Sequence, residues 1–334
     1  MIELRSDTFT RPGQPMLEAM MTAEVGDDVF GEDPTVIALE EKLATMFGME
    51  AGLFCPSGTM TNQIAIRVHT RPQDDVICDR HAHIYLYEGG GIMANAGASV
   101  SLLAGDRGRI NAQQVADALK PDDVHAPVSR LVSLENTMNK GGGSIYDFAE
   151  IIKIKEVVDK HGLKFHLDGA RLFNALVESG DDMKAYGKVF DTISICLSKG
   201  LGAPVGSVLI GNKTDIKRAR RVRKVFGGGM RQAGFLAAAG LYALDNNIER
   251  LKEDHARARA IGKALESCAF VTGIMPIDTN ILIFSTDDVP GVLHKLATKG
   301  VLGIAFGPNQ VRFVTHLDFT DAHLEKLLKI LKEV

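Results

Sequence analysis

Apolar positions along the chain take two recurring forms. Short uninterrupted runs at Ala51–Cys55, Val76–Cys78, Ser99–Leu103, Arg130–Leu134, Lys164–Leu167, Ile193–Leu197 and Val205–Ile210 predict buried strands. Between several of them, apolar residues recur at helical spacing. Thr35 to Phe47 carries Val36, Leu39, Leu43 and Phe47 on one face, and Thr59–Val68, Asn111–Leu119 and Phe148–His161 predict further helices. This strand and helix alternation predicts an α/β protein with a large, doubly wound, mostly parallel sheet. After Phe226 the pattern changes. GGGMRQAG leads into an Ala-rich helix from Phe235 through Leu244 and a charged helix over Ile248–Leu265. A strand at Ile281–Phe284, a helix at Gly291–Lys299, a strand at Gln310–Val314 and a helix at Asp321–Lys332 then predict a small α/β domain. The boundary is set near Asn246: residues 1–246, with their N-terminal arm, form the large domain, and 247–334 the small C-terminal one. The polar lead-in 1–13 has no helical period, which makes it either a floppy end or a functional arm, and a short helix follows over Met16–Met21.

Composition narrows the class. The 334 residues are 45% apolar and 24% charged, with a net charge of −4 and a pI near 6.2, which suits a globular protein and gives no basic field for nucleic acid. The basic run KRARRVRK at 217–224 reads as a solvated helix face or a subunit contact in preference to a phosphate site. Cys55, Cys78, Cys196 and Cys268 are widely spaced and read as reduced thiols. The start MIELRSDTFTRPG has charges where a signal peptide needs an apolar region, and no apolar run of 18 residues occurs. A cytoplasmic, non-membrane protein is expected.

Residues able to do chemistry gather where predicted strands end, which is where active sites of such sheets lie. Ser57, Gly58 and Thr59 in PSGTMTN open a helix whose free N–H groups suit a phosphate, although small and hydroxyl residues are also plain helix caps. Asp168 in KFHLDGAR follows an apolar strand. A carboxylate there suits the protonated ring nitrogen of pyridoxal phosphate, with a helix cap as the alternative. Lys199 in CLSKGLGAPVG stands just past another strand, where a desolvated lysine can form a Schiff base with an aldehyde and where a surface turn is the ordinary reading.

Taken together, LRSDT at 4–8, VGDDVFGEDPT at 25–35, PSGTMTN at 56–62, LENTMN at 134–139, HLDGARLFNA at 166–175, CLSKGLGAPVGS at 196–207, GGGMRQAG at 227–234 and VTHLD at 314–318 resemble the L-threonine aldolases of low-specificity type. These are pyridoxal 5'-phosphate enzymes of the aspartate aminotransferase fold type (fold type I), and the likeness keeps its order over essentially the whole chain. It implies retro-aldol cleavage of a β-hydroxy-α-amino acid to glycine and an aldehyde. By resemblance, Lys199 holds the cofactor aldehyde, Asp168 binds the pyridine nitrogen, and Gly58, Thr59 and Ser198 contact the phosphate. His83, not its neighbour His81, stacks on the ring; Ser6, Arg171 and Arg312 clamp the substrate carboxylate; and His125 lies near the substrate hydroxyl. His83, His125 or a water accepts the hydroxyl proton. Arg231 reaches a neighbour's phosphate, which implies a homo-oligomer, a dimer of dimers with shared sites. No metal is expected. Met138 and Phe30 stand where the family often has histidine and tyrosine, a departure that bears on substrate preference.

Overall fold

The computed structural model describes residues 1–333. In chain order its strands are β1 (Ile2–Glu3), β2 (Ala51–Cys55), β3 (Asp74–Asp79), β4 (Ser99–Leu103), β5 (Val128–Glu135), β6 (Lys164–Gly169), β7 (Thr192–Cys196), β8 (Ser207–Gly211), β9 (Gly273–Ile274), β10 (Ile281–Ser285), β11 (Val301–Leu302), β12 (Ile304–Gly307) and β13 (Gln310–Val314). The large sheet has the order β2-β8-β7-β6-β5-β3-β4. Pairing is parallel from β7 through β6, β5, β3 and β4, and only β8 runs against its two neighbours. Such a sheet is buried on both faces, which explains why β7 and β8 are wholly buried and carry only small hydroxyl residues among their apolar ones.

Helices cover both faces: α1 (Gln14–Met21), α2 (Pro34–Phe47), α3 (Gly58–His69), α4 (His83–Leu86), α5 (Ala112–Ala118), α6 (Phe148–Lys160), α7 (Leu172–Ser179), α8 (Met183–Val189), α9 (Lys213–Val225) and α10 (Gly234–Asn246). Local chemistry sets their ends. Asp33 caps α2 by accepting from the Val36 N–H, Pro34 opens it, and Gly48 closes it with φ +65°. Ser57 caps α3 by accepting from the Met60 N–H. The helices α7 and α8 are not foreseen in the sequence, where their short spans hide in the run after Arg171.

The helices α11 (Leu251–Leu265), α12 (Val289–Thr298) and α13 (Asp321–Leu331) pack with a four-stranded antiparallel sheet of order β12-β13-β10-β9. Its core contains Ile261, Leu265, Leu282, Phe284 and Phe313. The structure corrects the sequence reading of the N-terminal arm. Residues 2–4 do not belong to the large domain: β1 pairs in parallel with β11, Ile2 opposite Val301, and Ile2 and Leu4 are buried in the small domain's core. The arm then crosses to the large domain, where Thr10 Oγ1 donates to the Lys199 carbonyl at 3.0 Å. It is therefore not a floppy end.

The basic run also differs from expectation. It lies on α9, but Arg223 is buried, 2.7 Å from Asp28 and donating to the Phe54 carbonyl at 2.7 Å. Arg218 donates to the Val68 carbonyl at 2.7 Å and Arg220 pairs with Glu40. Charge alone in the sequence does not reveal that its partners are Asp28 and Glu40, far upstream.

Candidate active site at the carboxyl ends of the parallel strands

Strand geometry brings the predicted residues to one edge. β5 ends at Glu135, β6 reaches Asp168 near its end, and β7 is followed by Ser198 and Lys199, while β2 leads into Ser57 and α3. Gly169 is required where β6 passes β7, because a Cβ there would stand 2.7 Å from the Ser194 carbonyl oxygen.

Asp168 is buried. Its Oδ2 accepts from Asn62 Nδ2 at 2.9 Å and its Oδ1 from the Ala170 N–H at 3.1 Å. Two further buried acids stand close by. Glu88 Oε1 accepts from Asn62 Nδ2 at 2.8 Å and pairs with His83 Nδ1 at 3.0 Å, while its Oε2 accepts from Gln63 Nε2 at 2.7 Å. Glu135 accepts from the His83 N–H at 2.7 Å and the Asn139 N–H at 2.9 Å. Burial, then the charge of Asp168, pushes the Glu135 carboxyl well above the usual carboxylate range, with the two N–H bonds and His83 opposing. For His83 burial alone would lower the pKa, but the Glu88 hydrogen bond and the fields of Asp168 and Glu135 outweigh it and raise it. Glu135 stands out in the sequence as a strand-end residue, but Glu88 does not, because nothing local marks a glutamate in YLYEGG as a partner of a histidine.

The opposite wall is cationic. Arg171 grips Asp7 with two parallel bonds, Nε to Oδ2 at 2.7 Å and Nη2 to Oδ1 at 2.8 Å, and both residues are buried. Asn280 Nδ2 adds a bond to Asp7 Oδ2 at 3.2 Å. Asp7, read in the sequence as part of a polar lead-in, is therefore the anchor of Arg171. Arg312 has no such partner. Its guanidinium donates only to neutral oxygens, Asn139 Oδ1 at 2.8 Å and the Arg5 carbonyl at 3.0 Å, and its Nε is buried without a partner. It lies over the Phe306 ring at 4.6 Å, and Lys140 Nζ lies 4.0 Å from the same ring centroid. Burial, with the like charge of Arg171, lowers its pKa to about 10, so it remains a cation at neutral pH. The Lys199 ammonium makes no hydrogen bond or ion pair among the described residues, and its charge is felt by Asp7. A cavity of about 500 Å³ is lined by Ser6, His83, Arg171, Lys199, Phe306 and Arg312 among others. Two arginines with one carboxylate between them make it receptive to an anion.

Pyridoxal phosphate fits these residues. Glu88 and Asp168 stand beside a single histidine, an excess of buried carboxylate that favours a protonated ring nitrogen against Asp168. At the start of α3 the N–H groups of Gly58 and Thr59 have no acceptor among the described residues. Ser207 Oγ is buried without a partner, and a Cβ on Gly58 would come within 3.4 Å of it and 4.0 Å of Cys196 Sγ, so glycine keeps this cradle open. Ser198 Oγ lies 3.5 Å from the same Cys196 Sγ.

Two predicted residues do not join this cluster. His125 sits in the loop before β5, beyond the amino end of that strand and therefore at the opposite edge of the sheet from this chain's own cavity, with its side chain 90% exposed and its Nδ1 2.7 Å from Asp123. No rotamer of so short a side chain spans a strand of eight residues. Arg231 lies beside α10 on the outer surface, its side chain 55% exposed and bonded to Asp27 Oδ2 at 2.9 Å.

The model of the beta-eliminating lyase family matches residues 3–288. A low specificity L-threonine aldolase of Escherichia coli (strain K12) is 43% identical over 98% of this chain and 97% of its own length. A probable low-specificity L-threonine aldolase of Arabidopsis thaliana is 40% identical over 100% of this chain and 97% of its own. A solved structure of Leishmania major threonine aldolase superposes with a TM-score of 0.88 at 22% identity, covering 100% of this chain and 99% of that one.

Proposed function

Because this chain belongs to the beta-eliminating lyase family and, within it, to the low-specificity L-threonine aldolases, we propose that it cleaves L-threonine, L-allo-threonine and related β-hydroxy-α-amino acids to glycine and an aldehyde with pyridoxal phosphate. The observation that carries this reading is the pairing of a partnerless Lys199 and an anion-free Arg312 in one cavity with Asp168 behind it. When bound, the cofactor supplies an aldehyde for the substrate amine and a ring that accepts the electron pair of the breaking bond. The chain's own residues do the rest. Lys199 holds the cofactor's aldehyde, Asp168 its ring nitrogen, and Gly58, Thr59 and Ser198 its phosphate. Arg312 and the guanidinium edge of Arg171 left free by Asp7 hold the substrate carboxylate, with the Ser6 hydroxyl beside them. That grip fixes rotation about the bond to nitrogen and selects the Cα–Cβ bond for cleavage. His83 has its Nδ1 committed to Glu88, so its Nε2 is the atom free to take the proton of the substrate hydroxyl.

Incubation with threonine and no keto acid tests the reading. Glycine and acetaldehyde in equal amounts are expected. Release of 2-oxobutyrate indicates β-elimination instead, and no turnover until a keto acid is added indicates an aminotransferase.

A homotetramer of two dimers with shared sites is part of the same proposal. Its support is the exposure of Arg231 together with that of Ser57 and Thr59 at the mouth of the phosphate cradle. Mixing Lys199→Ala and Arg231→Ala chains restores partial activity through hybrid sites; no recovery in demonstrably mixed dimers refutes sharing. A cytoplasmic location belongs to the same reading and is supported by the four unpaired cysteines; among the described residues no helix is long and apolar enough to cross a membrane.

A further inference from the structure

Asp168 is tied to a line of polar side chains that leads away from the cavity into the large domain. The line begins at Asn62. Its Nδ2 donates to two carboxylates, Asp168 and Glu88, and an amide oxygen turned to face them would be repelled, so the orientation of this amide is fixed. Asn62 Oδ1 then lies 3.1 Å from His166 Nε2, which must carry a hydrogen. His166 is fully buried in the middle of β6, and burial lowers its pKa to about 4, with Asp168 opposing. It is neutral at neutral pH; with its hydrogen on Nε2 it gives none to the Thr192 carbonyl oxygen 3.2 Å from Nδ1, and Nδ1 is a bare acceptor. That atom is 2.9 Å from Thr192 Oγ1, whose hydroxyl hydrogen is thereby committed to it. Thr192 Oγ1 in turn is 2.9 Å from His69 Nε2, which donates to it. Every donor in the sequence His69, Thr192, His166, Asn62 points toward Asp168, and bonds aligned in this way polarise one another.

We propose that Thr192, His166 and Asn62 are positioning residues: as one directed chain of hydrogen bonds they set the orientation of Asp168 and hold its negative charge ready for the cofactor nitrogen. The proposal rests on the reading of Asp168 given above. Thr192 and His166 do not line the cavity, so their effect on the reaction travels only through Asn62. A hydroxyl at position 192 is the testable link, because valine preserves the shape of threonine and removes the donor, whereas serine keeps the donor and loses a methyl.

The experiment compares Thr192→Val and Thr192→Ser in the full-length holoenzyme. Pyridoxal phosphate affinity is measured by equilibrium dialysis, kcat and KM are measured with threonine, and the imidazole nitrogens are followed by ¹⁵N NMR. Thr192→Val removes both hydrogen bonds of the hydroxyl, of which only the one to His166 leads toward Asp168, and is expected to weaken cofactor binding about fivefold and lower kcat with little change in KM. Thr192→Ser stays within about twofold of wild type. In the unmodified enzyme the His166 nitrogens report a hydrogen on Nε2 and none on Nδ1; this measurement stands even where Thr192→Val fails to fold, and the reverse tautomer overturns the proposal. So does a result in which Thr192→Val behaves as wild type, since position 192 would then act through packing alone. Asp168→Asn is run in parallel. If it keeps wild-type cofactor affinity, the assignment of Asp168 itself falls and the relay with it; if only Thr192→Val does, the relay falls and Asp168 stands.

Discussion

The two edges of the large sheet carry similar charges and handle them in opposite ways. At the amino ends of the strands a cavity of about 370 Å³ is lined by His69, Arg71, Asp74, Arg130, Lys164 and Arg218 among others. Two of its cations have anions beside them: Lys164 pairs with Asp191 at 2.7 Å and Arg130 with Asp74 at 3.7 Å. At the carboxyl ends Arg312 and Lys199 lack an anion of their own, while Glu88, Glu135 and Asp168 crowd around one histidine. Charge alone marks neither edge as functional. Incomplete pairing does, since a buried ionic group without its counterpart costs stability that only a ligand restores.

Substitutions at five positions break or sharpen this contrast. The largest effect is that of Lys199→Ala, which removes turnover by more than about a thousandfold in kcat, measured with saturating cofactor. Asp7→Asn comes next, because it leaves Arg171 buried and unpaired; about 3–5 kcal/mol of stability is lost, read from urea unfolding at pH 7. The loss depends on pH with a definite sign. Burial alone would raise the Asp7 carboxyl's pKa, but Arg171, with Lys199 and Asn280, holds it well below the usual range. Its contribution is therefore present above the ordinary aspartate pKa of about 4 and fades as pH falls toward the lower native value, so wild type and Asp7→Asn converge in acid.

Arg312→Ala lowers kcat/KM for threonine by about ten- to a hundredfold, while the bound cofactor's visible absorbance persists. Arg312→Lys recovers only part, since the planar fork is lost. A loss of thermal stability with unchanged kinetics in the folded enzyme would instead make Arg312 a seam residue. Glu88→Gln lowers the pKa of His83, seen as a downward shift of its NMR titration, because the hydrogen bond and charge that raise it are weakened. The smallest effect is expected at the other edge: Lys164→Ala changes kcat by less than about twofold and stability by less than about 1 kcal/mol, as suits a half-exposed ion pair.

Much of this edge was legible in the sequence. Gly58, Asp168, Ser198 and Lys199 follow apolar runs, and a parallel sheet delivers such residues to one place. Glu88, Asn62, Asn139 and Asp7 were not, because their roles are set by partners brought together only by the fold. Asp7 and Arg171 are 164 positions apart, and no periodicity connects them. The small domain shows the same limit. Its helices and central strands stand out by pattern, whereas β1 and β11 have two residues each, too few for alternation to register. His125 shows the limit in another way: its motif places it in the chain, but the length of β5 places it at the far edge, away from this chain's own cavity.

The pairing of β1 with β11 bears on the order in which the molecule is built. As the chain is synthesised, residues 2–4 emerge first and must wait for residues 301 and 302 before they have a strand to join. By then the seven-stranded sheet has all its strands, since β8 ends at Gly211, so the large domain is able to fold ahead of the small one. Until the late strand arrives, Ile2 and Leu4 have no core to enter, and Asp7 sits on a tether fixed only at one side. The Asp7–Arg171 pair is therefore among the last parts of the molecule to be completed, and an interrupted chain sets Asp168 and Lys199 at their strand ends before Asp7 is locked against Arg171.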